Sequence, residues 1–234
     1  MNSEKIHKLV GTGLLTALVA VVYFLTMGIT VGPFNITFAL IPIVVGAALY
    51  GWAAGGWLGL VFGAMVLFTG GANAFLVINV PGTIITVLVK GAASGIVPGL
   101  IFKAFDKHDH HLASVLSKSV DSALDSGRKE LAPGLIYSTL SKRSRLPATV
   151  CAAAAAPIVN TGIFLLGCLA FFMSTISEWA AGAGIENAGV YMVTAFVGVN
   201  FLVELGTNLL LSSVIVRIVD IAKNKLFVTR KQVI

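Results

Sequence analysis

Two ionisable side chains interrupt otherwise apolar runs of this sequence, Lys90 and Glu204. A charge at that depth of a membrane helix costs about 3 kcal/mol on insertion scales, and such groups face a bundle interior or a wet cavity. Glu204 has Asn200 and Asn208 four residues to either side, hence on one helical face. Asn160 adds an amide from another apolar run. Two readings of this set stand side by side. Lys90 and Glu204 form a structural ion pair satisfied by the amides, or the same groups line a polar pocket that holds a small polar ligand. Between the apolar runs lie Asn35, Asn73, Asn79, Trp179 and Asn187, with Tyr191 at the start of the last run. They form a candidate mouth, because ligand pockets combine a few placed polar groups with aromatic walls. Interfacial anchoring accounts for Trp179 and Tyr191 equally well. Asn79, two residues before Pro81, suits a turn or cap.

Other chemistry is missing. The sequence has no G-x-x-x-x-G-K-[ST] phosphate loop, so ATP hydrolysis by the usual device is excluded. It has no H-E-x-x-H and no G-x-S-x-G. An enzyme is disfavoured, and no cofactor is implied. His108-Asp109-His110-His111 reads as a solvated loop rather than a metal site, since no second ligand cluster follows at defined spacing. Cys151 and Cys168 read as buried thiols; 17 residues of helix separate them by about 25 Å, so they do not pair within that helix.

The elements that must position Lys90 and Glu204 are membrane helices. The chain of 234 residues is 57% apolar and 11% charged, with a mean hydropathy of +0.94. Such a balance excludes a soluble enzyme, a disordered chain and a nucleic-acid reader. Apolar stretches at 9–30, 36–50, 52–69, 81–105, 147–173 and 189–216 predict an all-α integral membrane protein, a single domain of six transmembrane helices. The first stretch exceeds a signal-peptide core and is read as a retained helix. The second, short one is tilted or broken near Pro42. Residues 70–80 and 174–188 read as loops. The stretch 106–146 carries 12 charged residues and is read as a surface-lying amphipathic helix on Leu112, Val115, Leu116, Val120, Ala123 and Leu124, followed by a basic linker. Lys and Arg gather at 5–8, 103–145 and 217–231, while 31–35, 70–80 and 174–188 have none. With six spans, the positive-inside rule places both termini and the 106–146 insertion in the cytoplasm.

Gly51, Gly55, Gly59 and Gly63, and Gly91, Gly95 and Gly99, recur every four residues. Such rows let helix backbones approach closely in lipid, and internal packing is their primary reading. A shorter row, Gly13-xxx-Ala17 overlapped by Thr16-xxx-Ala20, reads equally as packing or as a docking face for a partner.

The order of these elements resembles the substrate-binding S components of energy-coupling factor (ECF) vitamin transporters. The residues that carry it are the stretch from Asn35-Ile36-Thr37 through Pro42 to Gly51-Trp52-Ala53-Ala54-Gly55-Gly56, then Pro157-Ile158-Val159-Asn160-Thr161-Gly162 and Asn200 through Glu204 to Asn208. The likeness covers nearly the whole chain except 106–146, which is longer than the family's short connection. The resemblance implies a high-affinity vitamin-binding subunit in a bacterial plasma membrane that works with a transmembrane coupling subunit and two ATPases. It assigns Gly13, Thr16, Ala17 and Ala20 to partner docking and places a vitamin pocket near the extracellular side under the loops, for which Lys90, Asn160, Asn200, Glu204, Asn73, Asn35, Trp179 and Tyr191 are the candidate residues read above. Lys90 suits a carboxylate, and Asn200 with Glu204 suits hydroxyl or amide groups, a set that fits a pantothenate-like molecule; riboflavin and folate are the other candidates. The alternative from another class is a stand-alone ion-coupled carrier or channel with a Lys90–Glu204 relay.

Overall fold

A helix needs about 20 residues to cross a hydrocarbon core about 30 Å thick. A computed structural model, which describes residues 3–31, 34–35, 37–121 and 132–231, contains three helices that meet this requirement by length and composition, at Lys5–Thr26, Val80–Ser117 and Thr139–Phe171. A fourth arises when Ala188–Val197 and Asn200–Ser212, bent by 45°, count as one broken span.

The element order is α1 (Ser3–Thr26), a two-stranded antiparallel pair β1 (Thr30–Val31) and β2 (Phe34–Asn35), α2 (Leu40–Tyr50), α3 (Trp52–Phe68), α4 (Asn73–Leu76), α5 (Val80–Asp121), α6 (Ala132–Phe171), α7 (Met173–Gly182), α8 (Ala188–Tyr191), a π-helix (Met192–Val197) and α9 (Gly198–Lys231). α2 has 11 residues, about 16 Å of helix. It is short but unbroken: Pro42 sits in its first turn, where a missing N–H removes no helical bond. Leu40, Ile43 and Val44 are fully buried, so α2 is core. Gly51, at φ +88°, turns the chain directly into α3. It is therefore a hinge and not a member of the packing row.

Glycine seams join α3 to α5. A Cβ on Gly55, Gly59, Gly91 or Gly95 would strike the backbone carbonyl of the facing helix, Gly55 opposite Gly95 and Gly59 opposite Gly91. Gly63 would meet the Val87 carbonyl oxygen at 2.8 Å, and Gly99 would run into the Trp52 backbone. The expected internal-packing role is what the structure displays. α1 lies outside this pair. Its Val19 and Tyr23 are buried, while Leu14 and Leu25 are 69% and 76% exposed, a surface suited to lipid.

Where the sequence suggested loops, the chain forms helices. α5 continues through His108–His111 to Asp121, and α6 begins at Ala132, so the charged segment extends two membrane helices instead of lying along the surface. Its buried face is Asp109, Ala113 and Ser117, four residues apart, whereas Val115 and Leu116 are exposed. Ala123 and Leu124 lie outside the described residues. The two extensions grip each other: Tyr137 donates a 2.6 Å hydrogen bond to Asp106, Ser144 donates to Asp109, and His110 stacks on Tyr137 with ring centroids 4.0 Å apart. Arg145 pairs with Asp220, which ties α6 to α9. The 174–188 connection likewise contains α7, and 70–80 contains α4. Cys168 is buried as expected, but Cys151 is exposed on α6.

Two measurements follow. Gly59→Val in detergent lowers stability by about 2–3 kcal/mol or prevents folding, because a backbone carbonyl cannot move aside; Gly13→Ala, with open space around its Cβ, leaves melting unchanged. Burial and the Asp106 hydrogen bond push the Tyr137 hydroxyl up to about 12. The neutral form is thus favoured in the folded arm, so the arm contact persists up to the free tyrosine range near 10 and weakens as pH rises through about 12. Hydrogen exchange checks this: protection factors, corrected for the intrinsic rate at each pH, fall for amides of 106–117 and 137–145 above pH 10 or in Tyr137→Phe, and those of 55–95 do not.

Candidate functional site

The interior polar groups converge. Lys90 from α5, Asn160 from α6, and Asn200 and Glu204 from α9 line one cavity of about 80 Å³. Its aromatic wall is Tyr23, Phe62, Phe164, Phe196 and Phe201, and Thr37 closes it beside α2. Of the residues marked in the sequence, these four are brought together.

Each polar group reaches the cavity by a local device. Lys90 precedes Gly91, and a step of one residue turns about 100° around a helix. With Gly91 against α3, the Lys90 side chain is directed away from the seam, and its Nζ lies 5.1 Å from the centroid of the Phe164 ring. A cation over an aromatic face is stabilised by the ring quadrupole. Glu204 is 4% exposed, and its Oε1 accepts the Thr37 N–H at 3.2 Å. That bond ties the start of α2 to α9, and the Thr37 hydroxyl in turn accepts the Ala39 N–H at 3.1 Å. Lys90 and Glu204 line the same cavity without an ion-pair contact within 4 Å. The amide oxygens of Asn160 and Asn200 are buried with no hydrogen-bond partner. Buried polar groups are normally paired, so two open acceptors beside an unpaired cation mark a place built to receive something polar. Asn208 is fully buried and donates from Nδ2 to the Glu204 carbonyl at 2.8 Å, which makes it a helix-internal support and not a lining residue.

The expected mouth residues divide differently. Trp179 and Tyr191 do not line the cavity but meet its Phe196 at ring distances of 6.3 and 5.5 Å. Phe75, 4% exposed, is the hub of that aromatic cluster and meets Phe164, Phe172, Trp179 and Phe196 edge-on. Asn79 caps α5, its Oδ1 accepting the Gly82 N–H at 2.9 Å, as the sequence suggested. Asn187 caps α8 by accepting from Gly189 and Val190. Asn73 is exposed at the start of α4, apart from the cavity. Asn35 pairs through its backbone with Thr30, and its side chain lies outside the described residues. Sequence reasoning missed Thr37 and the phenylalanines, because a main-chain donor and apolar residues among apolar residues carry no contrast.

The π-helix supplies Phe196 and ends at Gly198, with φ +23°. π-turns recur at functional sites because they re-aim a side chain without ending the helix. On α1, Thr16 is engaged within the chain: its hydroxyl donates to the Thr12 carbonyl at 2.9 Å and accepts Trp57 Nε1–H at 3.2 Å. Ala20 is half-buried, while Gly13 and Ala17 are exposed. The two overlapping rows therefore serve different faces. A larger cleft of about 470 Å³ opens at the far end of the helices, around Lys8, Lys103 and Arg145. Between Lys8 and Tyr23, α1 runs about 22 Å from one cavity to the other.

Among known families, residues 7–216 match the model of the ECF transporter substrate-specific component. The chain belongs to this family. No curated relative and no solved structure matches it. It is thus a membrane substrate-binding subunit of an ECF importer, a class that takes a small-molecule substrate and works with an ECF module.

The Glu204–Thr37 bond gives a direct test of the site's frame. Glu204→Gln keeps an oxygen acceptor for the Thr37 N–H, whereas Glu204→Ala leaves that donor buried and unpaired, at a cost of about 1–3 kcal/mol. Thermal melting in detergent is expected to rank wild type and Glu204→Gln together, with Glu204→Ala clearly below them.

Proposed function

We propose that this S component is the high-affinity receptor for a small water-soluble vitamin and that the Lys90–Asn160–Asn200–Glu204 cavity is its binding site. The observation that carries the reading is the unpaired Lys90 ammonium facing two unpartnered amide oxygens inside an aromatic wall. Lys90 takes a carboxylate, and Asn160, Asn200 and Glu204 take hydroxyl and amide groups, the pattern of a pantothenate-like cargo. Small-molecule sites span about 300–1,000 Å³, against about 80 Å³ here. The cargo therefore enters by displacing aromatic side chains, of which Phe196 on the π-helix is best placed to move.

The membrane arrangement follows the family and the charge pattern. The apolar helices form one six-span domain, α2 and α3 together with the broken α8–α9 segment completing the set, in a bacterial plasma membrane with both termini and the α5–α6 arm in the cytoplasm. The sequence lacks a phosphate loop, so ATP hydrolysis falls to two ATPase subunits that act through a transmembrane coupling subunit. The exposed Gly13 and Ala17 face is the contact for that subunit, whereas Thr16, bonded to Trp57, and half-buried Ala20 belong to the face that packs within the chain. Lys90 and Glu204 make no direct ion pair, so a proton relay between them would run through water in the cavity they share.

Binding to detergent-purified protein tests the site. Lys90→Ala weakens affinity for a carboxylate-bearing vitamin at least 100-fold, and Glu204→Gln weakens it about tenfold while melting as wild type does. Trp179, linked to the cavity through Phe196, changes its fluorescence on binding in wild type. Undiminished binding by Lys90→Ala would overturn the assignment.

A further inference from the structure

The cleft of about 470 Å³ lies at the level where the apolar stretches of three helices meet their first cations: Lys8 on α1, Lys103 on α5 and Arg145 on α6 all line it. We infer that this cleft holds the phosphate of an anionic phospholipid. The inference requires that the chain spans a membrane; it is independent of the cargo and its pocket.

Charge accounting within the cleft supports an anion. Five charged side chains line it: Lys8, Lys103, Arg145, Asp106 and Asp109. Asp106 accepts the Tyr137 hydroxyl, and buried Asp109 accepts the Ser144 hydroxyl. Arg145 is held by Asp220. Lys8 and Lys103 make no ion pair among the described residues and are both exposed. Two flexible cations from different helices of a concave site, with the carboxylates turned to hydroxyl donors, give a field that attracts a phosphate.

The surroundings decide in favour of a lipid over a free anion. Beside the cleft, Leu9, Leu100 and Leu146 are 67%, 46% and 52% exposed, apolar surface that acyl chains below the headgroup would cover. The floor is Ala47, Leu49 and Phe102, beneath the Gly51 hinge. A volume of about 470 Å³ admits a glycerophosphate headgroup without rearrangement. The occupant would bridge α1 to the base of the α5–α6 arm, both of which line this opening.

The test uses the full chain in nanodiscs of equal phosphatidylglycerol and phosphatidylcholine, followed by mild detergent extraction and native mass spectrometry. Wild type retains phosphatidylglycerol at least tenfold over phosphatidylcholine. Lys8→Ala/Lys103→Ala loses that preference, and Lys8→Arg/Lys103→Arg restores it. Lys107→Ala/Lys142→Ala removes two arm charges that do not line the cleft and leaves retention as in wild type. Melting temperatures of all variants establish that each is folded. Equal retention of the two lipids by wild type would overturn the inference, as would an equal loss in the Lys107/Lys142 control. Binding of inorganic phosphate that depends on Lys8 and Lys103, with no lipid preference, would overturn it in favour of a soluble-anion site.

Discussion

Backbone-to-backbone contact between α3 and α5 fixes the positions of both cavities, because nothing but hydrogen separates the two main chains at Gly55–Gly95 and Gly59–Gly91. In lipid, helices gain no hydrophobic energy by touching, so close van der Waals contact must supply the association. Once Gly91 is pinned to α3, its neighbour Lys90 is carried toward α6, and Phe62 and Val66 of α3 are carried to the opposite wall of the same cavity. At the other end, Gly99 against Trp52 shapes the cleft around Lys103. One rigid seam thus holds two sites of opposite character about four helical turns apart.

The proposed inner site is marked by incomplete satisfaction. A fully paired polar cluster would rigidify the bundle and bind nothing; a lone charge would be too costly to bury. Here Glu204 has a partner in Thr37 and Lys90 has an aromatic face, which holds both in place, while two amide oxygens keep open valences. The aromatic cluster around Phe75 supplies the complementary property. Phe75 meets Phe164, Phe172 and Phe196 edge-on, the arrangement aromatic quadrupoles favour. A π-helix ending at a positive-φ glycine places Phe196 against the cavity.

What the sequence made legible was what stood out from an apolar background. Lys90, Asn160, Asn200 and Glu204 were readable because polar atoms inside spans need a reason, and the four-residue glycine period announced the seam. The α5–α6 arm was misread because charged residues mark a membrane boundary but do not end a helix; Lys, Arg and Glu are good helix formers. Its inner face followed Asp109, Ala113 and Ser117, a pattern invisible to a search for large apolar residues. The bend in the last span was hidden because the π-turn over Met192–Val197 uses ordinary helix-compatible residues. Asn187 was taken for a ligand group and proved to be a cap, a role that depends on two backbone donors no side-chain pattern records. The aromatic hub escaped notice because Phe75 and Phe196 differ from their apolar neighbours only in shape.

Native mass spectrometry of the detergent-purified chain, without added ligand, tests the central claim most directly. A single small carboxylate-bearing vitamin bound one-to-one in wild type, and absent from folded Lys90→Ala, is the result this account predicts. A protein that carries no small molecule and binds none of a vitamin panel, or one whose bound vitamin is retained unchanged by Lys90→Ala, would contradict it.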